Sequence, residues 1–428
     1  MGLHNRGAAN DRRIRCGGHF FGSFGKDFKM TNIAILGFGV VGGGVADLIT
    51  KNYAEVTKLG GDDINIKYIL DLRDFPDSPF ADKVVHSFDP ILADDEVKYV
   101  IEVMGGSHPA YEYTMAALKS GKNVITSNKE VVANFGDEFL KTAEENGVSY
   151  RFEAAVGGGI PVISPMVNCV GQNKITEVRG ILNGTTNYIL TKMFSFGASF
   201  EESLADAQAL GYAERNPDAD ILGTDACRKI AILTSLATGK LVPTDKIHTE
   251  GITKIRKADV DASAKVGLKI KLLGRCVITD AGTTVMVAPF MLPADMPLAN
   301  VSSVYNAVEV LGEPIGNVMF YGPGAGAGAT ASAVVGDLMQ IMCSGTSCAK
   351  PTMVRTEEGI LPFASFASKS YIALSGATKD EVSAVFGEVT FIDGDETAFI
   401  TSTLTESECE ALIGKLESAT LLSRIRLI

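Results

Sequence analysis

The sequence predicts an α/β protein in which a doubly wound parallel sheet is followed by a central α+β region and a small βαββαβ unit. Three observations carry this. Residues 32–36 (NIAIL) form a continuous apolar run, as a parallel strand buried on both faces requires. That run passes at once into GFGVVGGGV, a Gly-rich turn that opens a helix. After Pro351 and Pro362 the pattern restarts as strand (371–375), helix (379–386), strand (388–392), strand (397–404), helix (407–416) and strand (422–427).

With 428 residues the chain is long enough for roughly two or three domains, each with its own core. Apolar residues make up 46% and charged residues 21%, an ordinary globular composition rather than a disordered or fibrous one. Acidic residues outnumber basic ones by 51 to 39, and the net negative surface argues against a nucleic-acid partner. An apolar run of about 18 residues, the length of a membrane span, is missing. The seven cysteines (Cys16, Cys169, Cys227, Cys276, Cys343, Cys348, Cys409) are scattered, odd in number and without a CxxC pair. Such usage fits a reducing cytoplasm better than secretion. Residues 1–30 carry Arg6, Arg12, Arg13, Arg15, Lys26 and Lys29 without periodicity and read as a disordered extension outside the fold.

Gly37, Gly39 and Gly42 make GxGxxG between a strand and a helix that continues through Val45, Leu48 and Ile49. The glycines serve a tight turn, close approach of a pyrophosphate, and helix packing on the strand, while the helix N-terminus faces the negative charge. With Phe38, Val40 and Val41 between them they form a dinucleotide site of the Rossmann type. The next strand, 64–70, ends at Asp71, and Arg73 follows two residues later. A carboxylate there accepts the ribose hydroxyls of NAD, whereas an arginine holds the extra phosphate of NADP; both are present, so NAD and NADP remain open. A strand at 99–103, a helix at 110–120 ending on Gly121 and a strand at 123–126 complete the sheet. They bring MGGSHPAYEY and Ser127-Asn128-Lys129 to its carboxyl edge. Lys129 is there either a functional cation or a solvated loop lysine.

The stretch 210–233, LGYAERNPDADILGTDACRKIAIL, gathers Glu214, Asp218, Asp220 and Asp225 before a helix that carries Asp225 and Lys229. Four residues apart on a helix, these two share a face at about 5–6 Å between Cβ atoms. Lys229 stands at the edge of an apolar stripe of Ala226, Ile230, Leu233 and Ala237. A lysine that is partly desolvated and oriented by a carboxylate suits proton transfer; the alternative is a surface ion pair. Upstream, Glu153 precedes Gly157-Gly158-Gly159 and Pro161, a set that supplies a carboxylate and backbone carbonyls to a hard cation or makes a tight domain crossover. Strand 174–182 ends in NGTTNYIL, whose Asn183, Gly184, Thr185 and Thr186 offer donors to a small carboxylate or form a turn and helix N-cap.

GFGVVGGGV, TSNKE, EAAVGGGIP, GILNGTTNYIL, the 210–233 stretch and YGPGAGAGATASAVVGD follow one another in an order and spacing that closely resemble the homoserine dehydrogenase family over about residues 31–345. The resemblance implies NAD(P)-dependent, reversible reduction of aspartate 4-semialdehyde to homoserine. It implies that Lys229 provides the proton for the developing alkoxide, that Asp225 orients it, and that Lys129 is the second active-site lysine. Glu214 and Asp220 match positions that hold the substrate ammonium, and Thr185, Gly211 and Tyr212 match positions near the substrate. It further implies a monovalent cation, sodium, held by Glu153 and the carbonyls of Val156, Gly158 and Ile160. Gly322–Gly328 looks like the return into the nucleotide domain, with Ala329 where the family often has proline.

The expected organisation is a nucleotide-binding domain at 31–158, a catalytic and dimerisation domain at 159–320 with a mostly antiparallel sheet (strands 174–182, 275–279 and 284–289) and helices on one face, a return segment at 321–348 and a tail at 349–428. The family resemblance implies a homodimer or homotetramer. The tail resembles the ACT domain, a module for sensing amino acids, which implies a threonine effector. Its first loop, Ser375-Gly376-Ala377-Thr378, lacks the Asp and Pro usual there, which leaves a purely stabilising or oligomerising tail as the alternative. A semialdehyde dehydrogenase that oxidises its aldehyde needs a nucleophilic cysteine with a His partner. Cys169, in VNCVG, has no histidine near it in sequence. A non-catalytic amino-acid sensor would have lost Lys229, Asp225 and Lys129, all of which are present.

Overall fold

Alternate residues of NIAIL face opposite sides of one sheet. Ile33 and Ile35 pack under one helical layer, Ala34 and Leu36 under the other, and all four are fully buried. The computed structural model describes residues 30–344, 349–356 and 358–428. The basic extension, with Cys16, His4 and His19, and also Cys348, lie outside the described residues.

The first sheet contains β1 (Met30–Leu36), β2 (Asp63–Leu70), β3 (Val84–Val85), β4 (Val97–Glu102), β5 (Asn123–Thr126) and β6 (Tyr150–Arg151). Their order is β3-β2-β1-β4-β5-β6 and every pairing is parallel, the doubly wound arrangement expected. The order in which strands are added reverses between β1 and β4, so a ligand crevice opens at their carboxyl ends. Helices Ala110–Lys119 and Lys129–Glu145 cover one face. Helices Val40–Lys51, Tyr53–Gly60 and the late helix Ala327–Ser344 cover the other.

The second sheet has ten strands. In order it runs Gly316–Pro323, Tyr305–Glu313, Lys174–Ile181, Leu268–Thr279, Gly282–Pro293, Thr420–Leu427, Ser370–Ser375, Thr397–Ile400 and Thr390–Ile392, with His248–Thr249 beside Gly282–Pro293. Its first five strands are antiparallel, with helices Gly184–Phe196, Phe200–Ala209 and Thr224–Thr238 on one face. Segment 297–301 and Phe366 cover the other face.

Two features differ from the sequence reading. The expected strands 275–279 and 284–289 are the inner part of a longer hairpin that pairs from Leu268 with Pro293 to Thr279 with Gly282. Lys269 and Lys271 mask its outer half in the sequence. Lys271 is nevertheless buried, donating to Asn187 Oδ1 at 3.0 Å and to the Val301 carbonyl at 2.6 Å. The hairpin Tyr305–Glu313/Gly316–Pro323 went unread, its strand character hidden by Gly312, Pro314 and Gly316.

The tail shows the expected order of elements, and both of its helices begin with capping boxes, Thr378 with Glu381 and Thr405 with Glu408. It does not stand apart. Its last strand runs parallel to Gly282–Pro293, with Phe290 opposite Arg426 and Met291 opposite Leu427, so one sheet passes through both regions. At that seam the Arg426 guanidinium lies between two carboxylates, Glu250 at 2.9 and 3.0 Å and Glu406 at 2.7 and 2.8 Å. Burial alone would raise the pKa of Glu250; hydrogen bonds from His248 and Arg426 bring it down to about 2. A carboxylate depressed in the folded state stabilises above its unfolded pKa and loses that contribution as pH falls towards 2. Without Arg426 the buried Glu406 keeps only Arg424, at 2.8 Å, and Glu250 only His248, at 2.6 Å, so Arg426→Ala is expected to cost about 3 kcal/mol in urea unfolding at neutral pH. A loss below about 1 kcal/mol would show that the seam is held by backbone pairing and apolar contact alone.

Candidate active site

The glycine turn leaves β1 with Gly37 at φ +94°, its N–H donating to the Leu70 carbonyl at 2.8 Å. A Cβ on Gly42 would stand 2.0 Å from the Gly37 carbonyl oxygen, so the third glycine is what lets the helix close on the turn. At Gly39 a Cβ would meet nothing within 4 Å, which leaves open space beside the helix N-terminus. That terminus, at Val40, has no acidic residue in its first turn and no side-chain cap, so its N–H groups remain available to an anion.

Phe38 turns inward, edge-on to Phe75 and Phe80, and its N–H donates to Asp71 Oδ2 at 2.8 Å. The Arg73 guanidinium grips the same carboxylate with two contacts of 3.0 Å. That pairing is the main reason the Asp71 carboxyl is held well below the usual carboxylate range. Asp71, Arg73, His86, Met104 and the first two glycines of the motif line a cavity of about 490 Å³.

A second cavity, of about 610 Å³, lies between the two sheets. Lys229, Asp225 and Lys129 line it, as do Glu214, Asp220, Thr185, Gly211 and Tyr212. Val41 forms part of its wall, whereas Val40 is exposed beside the turn. At its floor the Asp225 carboxylate is buried. Oδ2 accepts from Lys229 Nζ at 2.7 Å and from Asn183 Nδ2 at 2.9 Å, and Oδ1 lies 3.0 Å from Lys129 Nζ. Burial alone would raise this carboxyl; the charges of Lys229 and Lys129, with the Asn183 hydrogen bond, hold it far below its ordinary value. Lys229 is 8% exposed and its Nζ also donates to the Leu182 carbonyl at 2.7 Å, which fixes its direction. The helical spacing of Asp225 and Lys229 thus gives a buried pair rather than a surface one.

Asn183, which the sequence leaves as a donor to a small carboxylate or a turn and N-cap, does more than cap the helix. Its Oδ1 caps helix Gly184–Phe196 by accepting from the Thr186 N–H, and its Nδ2 joins Asp225 to Asp220 at 2.6 Å. Burial is the main cause of a raised pKa at Asp220, and the charge of Asp225 adds to it. Thr185 Oγ1 donates to the Tyr212 carbonyl at 2.6 Å, tying the Gly211–Glu214 loop to the helix start; Glu214 itself is exposed. Val304, just before the hairpin, and Gly324–Gly326 of the return loop also line the cavity. Cys169 is exposed and lines neither cavity.

Glu153 starts a 3₁₀ turn below this cavity. Its Oε1 accepts the Val162 and Ile163 N–H groups at 2.6 and 2.7 Å, and Oε2 accepts that of Ser164 at 2.6 Å. Among the described residues no hydrogen bond ends on the carbonyls of Val156, Gly158 or Ile160. Asp337, fully buried on the return helix, accepts the Glu153 N–H at 2.7 Å. Burial, then the charge of Glu153, raises its pKa to about 8. Among the described residues no three or more His, Cys, Asp or Glu side chains cluster as a metal site.

Comparison with known proteins gives the family of the chain. The family model described as homoserine dehydrogenase matches residues 161–339, and that of the homoserine dehydrogenase NAD binding domain matches residues 37–153. The homoserine dehydrogenase of Pseudomonas aeruginosa is 40% identical over 321 residues, 74% of each chain. That of Lactococcus lactis is 41% identical over 317 residues, 73% of this chain and 74% of the relative. The crystal structure of a homoserine dehydrogenase from Thiobacillus denitrificans superposes with a TM-score of 0.87 at 31% identity, covering 94% of this chain and 99% of that one. A hyperthermophilic archaeal homoserine dehydrogenase mutant in complex with NADPH superposes with a TM-score of 0.62 at 29% identity, covering 73% and 97%. With the doubly wound sheet, the glycine turn and the lysine-bracketed carboxylate in place, these matches establish that the chain belongs to the homoserine dehydrogenase family, NAD(P)-dependent oxidoreductases that act on a CH–OH group.

Proposed function

We propose that the lysine-bracketed Asp225 is the proton-handling centre for interconversion of aspartate 4-semialdehyde and homoserine. The observation that carries this reading is the geometry of one buried carboxylate with an ammonium on each oxygen, at the floor of a cavity that reaches the glycine turn. Nicotinamide, when bound, supplies or accepts the hydride. In the reducing direction the carbonyl oxygen gains negative charge, and Lys229 Nζ gives it a proton; in the oxidising direction the neutral amine takes the proton back. Asp225 and the Leu182 carbonyl hold Nζ in one orientation throughout. Lys129 adds a second positive charge across the cavity, which favours the developing alkoxide. The substrate is an amino acid, and Asp220 with Glu214 supplies the carboxylates for its ammonium, while Thr185, Gly211 and Tyr212 form the surrounding wall.

Asp71 and Arg73 form the end of the cofactor cavity where a ribose would lie. The free N–H groups at Val40, the open space at Gly39, and the nearby Phe38 and Gly37 support binding of the pyrophosphate of NAD or NADP. For sodium, the donor types fit: among the described residues the Val156, Gly158 and Ile160 carbonyls accept no hydrogen bond, and with the Glu153 carboxylate they are hard oxygen ligands. Two buried acids, Glu153 and Asp337, sharing one location also favour a nearby positive charge. The boundaries 31–158, 159–320, 321–348 and 349–428, a homodimer or homotetramer and a cytoplasmic location complete this reading. Among the described residues no helix is long and apolar enough to cross a membrane. In the tail an ACT-like role would bring threonine to loop 375–378, although a Cβ on Gly376 would lie 2.7 Å from the Ser418 carbonyl, so that loop is tightly closed.

The deciding experiment is oxidation of NADH and NADPH by the purified protein with aspartate 4-semialdehyde, with and without threonine. Lys229→Ala is expected to remain folded and cofactor-binding with kcat lowered at least about a hundredfold. Near-normal turnover would remove Lys229 from the mechanism, and an unchanged rate with threonine would leave the tail a structural unit.

Arg73→Ala should weaken NADP about tenfold or more, the scale of hydrogen bonds to a charged group, while NAD changes little because Asp71 is released to the ribose. Equal loss for both cofactors in titrations would place Arg73 away from the 2′-phosphate. Sodium should raise the melting temperature of the native chain and not that of Glu153→Gln; equal shifts would count against the cation site.

A further inference from the structure

Glu102, the last residue of β4, is fully buried in the nucleotide half and takes no part in the chemistry above. Both of its carboxylate oxygens are in use. Oε1 accepts the Met104 N–H at 2.8 Å, and Oε2 accepts the Thr126 hydroxyl at 2.6 Å. The Thr126 hydroxyl in turn accepts the Asn128 N–H at 2.9 Å. Asn128 is the N-cap of the helix whose first residue is Lys129: its Oδ1 accepts the N–H groups of Glu130 and Val131, and its Nδ2 donates to the Gly106 carbonyl at 2.7 Å.

One carboxylate therefore ties together two loops at the carboxyl edge of the sheet. The loop through Met104 and Gly105 forms a wall of the cofactor cavity, and it approaches the glycine turn so closely that a Cβ on Gly37 would lie 3.0 Å from Met104 Cγ. The loop through Ser127 delivers Lys129 to Asp225. The donors point one way: Met104 N–H and the Thr126 hydroxyl both give protons, so the site calls for a pure acceptor, which an ionised carboxylate is and an amide is not. Burial pushes the Glu102 pKa up to about 7, and the hydrogen bonds from Thr126 and Met104 pull against that shift by favouring the ionised acceptor.

We propose that Glu102 is a positioning residue for the reaction, acting through Thr126 and Asn128 to hold Lys129 in place against Asp225. The inference rests on the reading of Lys129 as an active-site cation. A misplacement of about 1 Å is enough to cost one to two powers of ten in rate, so a supporting hydrogen bond of this kind has leverage beyond its own strength. In Glu102→Gln the single amide oxygen can accept from only one of the two donors, Met104 N–H or the Thr126 hydroxyl, and the amide N–H is set against the other, so one of the two ties is lost.

The test is kcat, KM and the Kd of NADPH for a small set of variants in the full chain. Glu102→Gln is expected to lower kcat on the order of tenfold while the Kd of NADPH stays within about threefold. Thr126→Val should do the same and Thr126→Ser should restore turnover, which keeps the proposal testable if Glu102→Gln does not fold. In a Lys129→Ala background, Glu102→Gln should add less than about a twofold further loss. A full further loss in that background, or a loss of NADPH affinity equal to the loss of kcat, overturns the proposal. Lys129→Ala alone tests the assignment beneath it: near-normal turnover there removes both.

Discussion

The structure depends on one carboxylate shared by two ammonium groups. Asp225 and Lys229 belong to the helix Thr224–Thr238, whereas Lys129 begins the helix that follows β5 in the nucleotide half. Buried alone, Asp225 would favour its protonated form, and Lys229 would sit desolvated without a counter-charge. Each is tolerated because the other is there, and the third member, Lys129, comes from the other half of the molecule. The neighbouring residues repeat the tie: Glu130, next to Lys129, lies 3.5 Å from Arg228, next to Lys229, and also accepts the Ser107 hydroxyl. The contacts that compensate the buried charge are therefore also contacts that join the two halves beside the cavity.

Much of this was legible in the sequence because it is local. A strand buried on both faces must be apolar throughout, so NIAIL announces itself; GxGxxG fixes a turn within six residues; Asp225 and Lys229 must share a helix face. What remained hidden is what distance in sequence decides. The partnership of Lys129 with Asp225 spans almost a hundred positions and has no local signature. Glu102 reads in the sequence as one residue of the strand 99–103, although its hydrogen bonds organise the edge on which Lys129 stands. The hairpin at 305–323 was masked because its glycines and Pro314 read as turn signals, while pairing with Lys174–Ile181 supplies the order that local preference does not. The spacing of Asp225 and Lys229 also left burial undecided, since an i,i+4 pair looks the same on a surface and in a core.

The tail illustrates the same limit from another side. Its element order is written in short-range pattern and capping boxes, and so it reads as a separate unit. Its attachment is written in Arg426, a residue that sequence alone leaves as one more charge near a terminus. With Glu250 and Glu406 on either side, that guanidinium joins the last strand of the tail to the segment after His248–Thr249. Two residues further on, the Ile252 N–H donates to the Ile221 carbonyl, and a Cβ on the intervening Gly251 would lie 2.0 Å from that same oxygen. Ile221 ends the turn that carries Asp220 and leads through Gly223 into the helix of Asp225. The tail thus reaches the floor of the active site through one ion pair and one hydrogen bond, and whatever else it does, it braces the segment on which both carboxylates stand.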